Sequence, residues 1–373
     1  MYNLQTKTVQ NSEEQSTSNI TIHVATEELE KKAIYNLRFK VFYEELSKRL
    51  PTNVVNDSQL ADDLDKTSIL LYAKSGSSVI GTLRMTIGEI DSFPKWLSDI
   101  FSLDKFRLLQ KPNQKIGLLT KLAIDPSYRG STLMYQFLKE ILVISYAQGI
   151  RYAFGGCNPN LVSFYERMGF IRFSNKNFTD PGYGLLLPIV LITDNINHFK
   201  ASRATALRFV KSKDTNLAGL DLFYKLFPQS LDVVNSRLVK GLDLLDYLNL
   251  KFSDIDLGQL LFSPSLNLKE CIAFLELGSI FTCYAGDQII SSGDKNSDLY
   301  LLLSGKLACE SSFLRPGQFF GFNLAVVSIQ KYNVTSIGKS QIMIIPGQHF
   351  EKYKQAYPNA ALNIIEKLGL SLG

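Results

Sequence analysis

The sequence predicts an α+β protein in three parts: a mixed β-sheet flanked by helices, a helical connector, and a C-terminal β jelly-roll barrel with terminal helices. Three observations carry that expectation. Up to about residue 199 apolar strand-like runs alternate with helix-period segments; from about 200 to 267 the period is helical throughout; after Gly278 short strands are punctuated by glycine turns. With 373 residues the chain exceeds what one hydrophobic core usually supports, so more than one domain is the default. The expected divisions are a disordered tail over 1–18, a first domain over 19–199, the connector over 200–267 and the barrel over 268–373.

Taken in order, the polar tail lacks a basic start followed by an apolar core and so does not read as a signal peptide. From Leu37 the run LRFKVFYEEL has helical spacing, with Arg38 and Phe42 four apart on one face. After an Asp-rich loop, two alternating strands meet at the turn Ser75-Gly76-Ser77 and end in GTLR. The run Leu118 to Ile124 is a buried strand, broken by Pro126, Ser127 and Gly130 just before a helical segment over 132–148. Backbone N–H groups of Gly130, Ser131 and the next residues at that helix start, with Arg129 alongside, form an anion site of the kind that holds phosphate oxygens. Its natural guest is a phosphopantetheine-bearing thioester. A short strand RYAFGG and the segment NPNLVSFYERMGF follow, placing Tyr165 on a helix that ends at Gly169.

Strand, Arg-Gly turn, helix, strand and the residues Asn160, Ser163, Phe164, Tyr165, Gly169 and Phe170 together resemble the GNAT acyltransferase superfamily. In that family a tyrosine at the position of Tyr165 protonates the thiolate leaving group. The R-x-x-x-F helix at Arg38 and Phe42, the Asp-rich loop and the hairpin ending in GTLR resemble one branch, the N-acyl amino acid synthases and acyl-homoserine lactone synthases. The stretch DPGYGLLLPIVLITDNINHF resembles the N-acyl amino acid synthase more than the lactone synthase. This resemblance implies transfer of a long acyl chain from acyl carrier protein to a small-molecule amine. No cofactor is expected to be bound permanently; the co-substrate is the carrier's phosphopantetheine thioester or acyl-CoA. Ala123, Ile124, Arg129, Gly130, Ser131, Thr132 and Asn160 are then expected at the acyl donor, Tyr165 at the leaving group, and Arg38, Phe42, Arg84 and Lys121 around the acceptor.

Two departures from the family pattern accompany the match. Thr132 and Met134 replace small glycine-type residues, which weakens a pyrophosphate loop and favours the carrier-protein donor over coenzyme A. Where the strand usually reads E-x-S-R-L, this chain has Leu118-Leu119-Thr120-Lys121-Leu122, so the acid that would deprotonate the amine is a leucine. Lys121 keeps the arginine's charge without its fork. Glu44, Glu45, Asp62, Asp63 and Asp65 are candidate replacement acids, read first as solvated charges. Arg38 and Arg84 either organise those carboxylates or grip a carboxylate on the acceptor.

The connector segments ASRATALRFVKS, LAGLDLFYKLF, VVNSRLVKGLDLLDYLNL and DLGQLLF are expected to be short amphipathic helices packed between domains. In the barrel, turns at Gly286, Gly293, Gly305 and Gly317 sit where the cyclic nucleotide-binding domain family has its glycines, and the segment resembles that family. The family's glutamate for the ribose and arginine for the cyclic phosphate are missing: after Gly321 stands Phe322, and Gln330, Lys331 and Tyr332 occupy the arginine's neighbourhood. A degenerate site at Gly321, Phe322 and Lys331 that binds no cyclic nucleotide is therefore expected.

A net charge of +5 with both signs interspersed gives no nucleic-acid footprint. The apolar run at Leu185 to Ile192 is too short to span a bilayer, so the expected location is the cytoplasm. Cys157, Cys271, Cys283 and Cys309 show no metal-ligand spacing and are expected to be reduced thiols, and no metal is expected. Two other functions remain open on the sequence alone: an acetyl-CoA-dependent lysine or amine acetyltransferase controlled by the barrel, and an inactive sensor or scaffold.

Overall fold

A hairpin begins the sheet because Gly76 takes the left-handed backbone, at φ +60°, that a two-residue turn demands. In this computed structural model the described residues are 20–46, 55–56, 58–109, 111–180, 182–211, 215–252, 255, 266–321 and 328–367. The hairpin strands β2 (Ile69–Ser75) and β3 (Ser78–Gly88) lie beside β1 (Thr21–Val24) and β4 (Ile116–Ile124). Next come β5 (Tyr152–Cys157), β6 (Ile171–Arg172), β7 (Phe178–Asp180) and β8 (Gly184–Ile192). The eight form one sheet in the order β1-β2-β3-β4-β5-β8-β6, with β7 on β8.

All pairings are antiparallel except β4 with β5, and parallel neighbours need a long crossover. Helix α4 (Leu133–Ala147), following α1 (Glu28–Phe39), α2 (Lys95–Phe101) and α3 (Leu103–Phe106), supplies it. The strands' period of two sorts the core. Leu83, Met85, Leu119, Ala153 and Ile189 face α4 through Phe137 and Ile141. Leu118, Phe154 and Val190 face Phe101 and Phe106, with Phe223 and Phe227 from farther along the chain. Leu37, Val41 and Phe42 cover Ala123 on that second face.

Two irregularities open the sheet. Thr82 pairs with Ala123 and Arg84 with Thr120, so Leu83 alone stands opposite Lys121 and Leu122. This is a β-bulge, and Lys121 takes φ +55° there. The β4–β5 ladder runs from Gly117 opposite Ala153 to Leu119 opposite Gly155, although β4 continues to Ile124 and β5 to Cys157. The strands part beyond Leu119, leaving a gap through the sheet.

After α5 (Val162–Met168) the chain continues through α6 (Ile196–Ala201), α7 (Leu217–Leu226), α8 (Gly241–Lys251) and α9 (Leu268–Leu275). The connector is less helical than its period suggests. ASRATALRFVKS holds only the tail of α6 and a short 3-10 turn at Thr205–Arg208, and α8 starts only at Gly241. DLGQLLF lies outside the described residues, as do the tail over 1–18 and Phe322.

The barrel strands are β9 (Ser279–Cys283), β10 (Gln288–Ile290), β11 (Lys295–Asn296), β12 (Leu299–Ser304), β13 (Leu307–Cys309), β14 (Ser312–Leu314), β15 (Phe319–Phe320), β16 (Ser328–Ile329), β17 (Val334–Ser336) and β18 (Ser340–Ile345). They form two four-stranded antiparallel sheets, β9-β18-β12-β15 and β10-β17-β13-β14, and a small β11-β16 pair. Helices α10 (Gly347–Ala356) and α11 (Pro358–Lys367) follow. The predicted α+β class, with a helix-flanked mixed sheet ahead of a β barrel, is the observed one. Phe281, Ile290 and Tyr300 of the barrel share one apolar cluster with Cys157, Val162 and Phe170 of the first sheet's side. The barrel is thus packed onto the region of α5.

Candidate active site

The gap between β4 and β5 joins two chemically different sides. On the side of α1 lies a buried ionic cluster. Arg38 is fully buried and donates from Nη1 to Asp65 Oδ1 at 2.8 Å. Arg84, also buried, donates from Nε to Thr120 Oγ1 at 2.8 Å and from Nη1 to both Asp62 and Asp65. Asp62 and Asp65 cap their short helical turn reciprocally, which fixes the loop. Both arginines organise the Asp-rich loop through these bonds, whose carboxylates offset the cost of burying the two charges. Arg38 Nε and Nη2 are buried without a hydrogen-bond partner.

Lys121 lies two residues past the last β4–β5 pair. The bulge turns its side chain to the same side as Thr120, where Nζ donates to Tyr183 Oη at 3.1 Å and stands 3.6 Å from Asp62 Oδ2. Burial lowers its pKa, Asp62 and Asp180 oppose that, and Arg84 and Arg38 add to it. For Asp62 burial pushes upward, but Arg84, Lys121 and Arg38 outweigh it and hold the carboxyl below the usual range. Burial keeps the Tyr183 phenol protonated far above ordinary tyrosine. Phe42 meets Tyr183 edge-on at 5.0 Å and completes this wall.

Tyr183 carries no signal in the sequence that marks it for this place. Asn158 brings it there, donating from Nδ2 to the carbonyls of Tyr183 and Leu185 at 2.8 and 3.0 Å, while Asp180 Oδ1 accepts from the N–H of Gly182 and Tyr183. Leu118, at the place of the family's acid, is 3% exposed among the aromatic side chains of the second face. Among the candidate acids, Asp65 is buried and tied to both arginines, contrary to its expectation as a solvated charge. Asp63 is exposed beside Lys66, and Glu45 is paired to Arg129.

On the other side stands Tyr165. Its ring packs edge-on against Phe164 and Phe170, each 5.4 Å away, and burial with the neighbouring Cys157 raises its pKa. The phenol is thus a proton donor throughout the ordinary pH range. The Cys157 thiol, fully buried, is itself pushed up to about 12 by burial and stays neutral.

The donor residues are dispersed around the gap's mouth. Ala123 is buried against α1, and Ile124 ends β4. Gly130 is left-handed at φ +78°, in open space. The Ser131 N–H bonds Tyr128 O, and its hydroxyl accepts from Leu133 N, so one expected anion donor is used inside the turn. Arg129 forms a fork with both oxygens of Glu45, at 2.5 and 2.7 Å; Glu45 lies on a π-helical turn at Lys40–Glu45 that continues α1. Lys40 on the same turn pairs with Asp125 at 2.8 Å, and these two bridges clamp α1 to the loop after β4. Met134 is buried in the core, so only Thr132 of the two replaced small residues faces outward. The steric argument against a pyrophosphate therefore rests on Thr132 alone. Asn160 reaches the barrel, where its hydrogen bond helps counter the effect of burial on Asp298.

In the barrel, Gln330 Nε2 donates to Gly321 O at 3.1 Å and Gly321 N donates to Tyr332 Oη at 3.3 Å. Tyr300 stacks on Phe320 at 5.0 Å. Lys331 is exposed, so it does not substitute for the phosphate arginine: the side chains flanking it in sequence are the ones turned towards Gly321.

The site thus combines a helix-flanked mixed sheet with a strand gap, a protonated tyrosine on one side and an ionic cluster on the other. Residues 33–193, less than half of the chain, match the family model described as N-acyl amino acid synthase FeeM, and the protein is an acyltransferase. Similar solved structures include FeeM, an N-acyl amino acid synthase from uncultured soil microbes, at 14% identity over 52% of this chain and 99% of that one, TM-score 0.42. The acyl-homoserine lactone synthase LasI is similar at 16% identity over 46% and 88% of the two chains, TM-score 0.35. For the barrel, a cyclic nucleotide-binding domain from Methylobacillus flagellatus is similar at 10% identity over 28% and 64%, TM-score 0.26. No curated protein matches the chain. Among the described residues no helix is long and apolar enough to cross a membrane, and no group of three or more His, Cys, Asp or Glu is placed to hold a metal ion.

Proposed function

We propose that the chain is an N-acyltransferase that moves a long fatty acyl group from acyl carrier protein to the amine of an amino acid or a related small molecule. The observation that carries this is the parting of β4 from β5 beyond Leu119 and Gly155, with Tyr165 on one side and the Lys121, Tyr183 and Asp62 group on the other. A thioester lying in the gap exposes its carbonyl to an amine arriving beside Lys121. Attack forms the C–N bond, backbone N–H groups of the splayed strand near Ala123 and Ile124 stabilise the oxyanion, and the C–S bond breaks as Tyr165 gives its proton to sulfur. The phosphate of the donor takes the place of Glu45 on Arg129, an exchange of one carboxylate fork for another anion. The exposed Thr132 favours the single phosphate of a carrier protein over a bulkier pyrophosphate.

Expression in a bacterial host with lipid extraction and mass spectrometry tests this. New N-acyl amino acids are expected from the wild type and are absent with Tyr165→Phe. Acetyl transfer from acetyl-CoA without new lipids favours an acetyltransferase, and no turnover with either donor favours a scaffold.

A further inference from the structure

The family's acid on β4 is replaced by Leu118, and the amine must still lose a proton. We propose that Lys121, as a neutral amine, is the catalytic base that accepts it, an assignment that rests on the acyltransferase reading. Four features converge on this residue. First, an arginine at this position stays protonated under all ordinary conditions, whereas a lysine desolvated in a cleft does not. The loss of the acid and the change from arginine to lysine, three residues apart on one strand, are thus complementary.

Second, the bulge sets Lys121 at φ +55°, two residues past the last β4–β5 pair, with its side chain 12% exposed and its Nζ beside Tyr183 and Asp62. Third, the two acids nearest this strand are committed: Asp65 is buried between two arginines, and Asp62 is held ionised by Arg84 and is a weak base. Leu118, locked among aromatic rings, offers no base.

Fourth, the groups facing Nζ suit the task. Asp62 from the Asp-rich loop and Asp180 from the end of β7 favour the ammonium; Arg38 from α1, Arg84 from β3 and burial favour the free amine, and the balance is downward. Tyr183, whose phenol remains protonated, holds Nζ by its hydroxyl and passes 4.9 Å below it with its ring.

The protons balance. The attacking nitrogen gives one proton to Lys121, Tyr165 gives one to the departing sulfur, and the ammonium and phenolate then return to their resting forms by net proton transfer through water. The products are the amide and the free thiol.

The test is the pH dependence of kcat and KM on the full-length protein, with acyl carrier protein thioester and amino acid as substrates. The wild type is expected to show kcat/KM rising with pH through an ionisation below the ordinary lysine value of about 10.4. Lys121→Arg, which keeps the charge, is expected to lose that limb and to lower kcat by about 10²-fold or more, with little change in donor KM. Lys121→Cys treated with bromoethylamine regains an amine that is a weaker base. It is expected to recover activity with the limb displaced to lower pH; treated wild type is the control, since Cys157, Cys271 and Cys283 are buried. Lys121→Arg turning over at the wild-type rate with the wild-type limb overturns the assignment and leaves the acyltransferase reading standing. A wild type that transfers no acyl group from any donor overturns both.

Discussion

The Glu166 carboxylate and the Arg172 guanidinium meet at 2.6 Å in a buried pair, one residue along the chain from Tyr165. The pair's outer bonds leave the sheet. Glu166 Oε2 accepts from Ser236 N and Oγ at 2.8 and 2.6 Å, and Arg172 donates to Ile280 O and Val234 O at 2.6 and 2.7 Å. The helix that carries Tyr165 is therefore fastened to the connector and to the first barrel strand. Arg172→Met leaves the Glu166 charge buried and unpaired, and breaking such a pair costs about 3–5 kcal/mol. Urea unfolding should show a lower midpoint, with the barrel and sheet signals both affected.

Tyr165→Phe removes a proton donor and leaves its aromatic packing in place. The expected result is a kcat lower by about 10²–10⁴-fold with a nearly unchanged unfolding midpoint. Because the phenol's pKa is raised by burial, the wild type should show no alkaline loss from Tyr165 up to about pH 10, where an ordinary tyrosine ionises. Steady-state kinetics across that range, with circular dichroism on both proteins, check the pair of expectations.

Acid should loosen the ionic cluster. Burial raises the Asp62 pKa, but Arg84 and its companions lower it further, so the folded value lies below the unfolded one. Stability from this group is complete above about pH 4, the ordinary aspartate value, and is lost as the pH falls through the folded pKa. Asp62→Asn should be less stable than the wild type near neutral pH, and its stability should fall less steeply with acid. Denaturant midpoints measured from pH 7 to pH 3 decide this.

The barrel is expected to bind neither cAMP nor cGMP at micromolar concentration, since Gln330 and Tyr332 both turn towards Gly321 and Lys331 is exposed. Titration calorimetry showing micromolar binding would contradict this. Gly321→Ala should destabilise the protein by about 1–3 kcal/mol, because φ is +88° there and a Cβ would lie 2.5 Å from the Tyr300 ring. Thermal unfolding measures that loss.

The sequence made local features legible and hid those created by register and distance. Tyr165 and the Gly76 hairpin could be read because each is set by neighbours within a few residues. The partnership of Arg38 with Asp65, 27 residues away, could only be offered as one of two roles, since spacing does not say which carboxylate an arginine meets. Lys121 could be placed on a strand, but its direction depends on a bulge, and one extra residue in β4 changes which way a side chain points. Tyr183 was invisible, because Asn158, 25 residues earlier, anchors its loop. Docking of the barrel on α5 depends on Arg172 reaching Ile280 O across 108 residues, a contact that no periodicity encodes.

Acyl transfer to an amine at the gap beside Tyr165 is tested by single-turnover release of free thiol from a purified acyl carrier protein thioester, followed with and without an amino acid acceptor and paired with mass detection of the amide. Amine-dependent thiol release matched by amide is expected, with strong slowing in Tyr165→Phe. Thiol release at the same rate without the amine, or no amide from any acceptor, would contradict it.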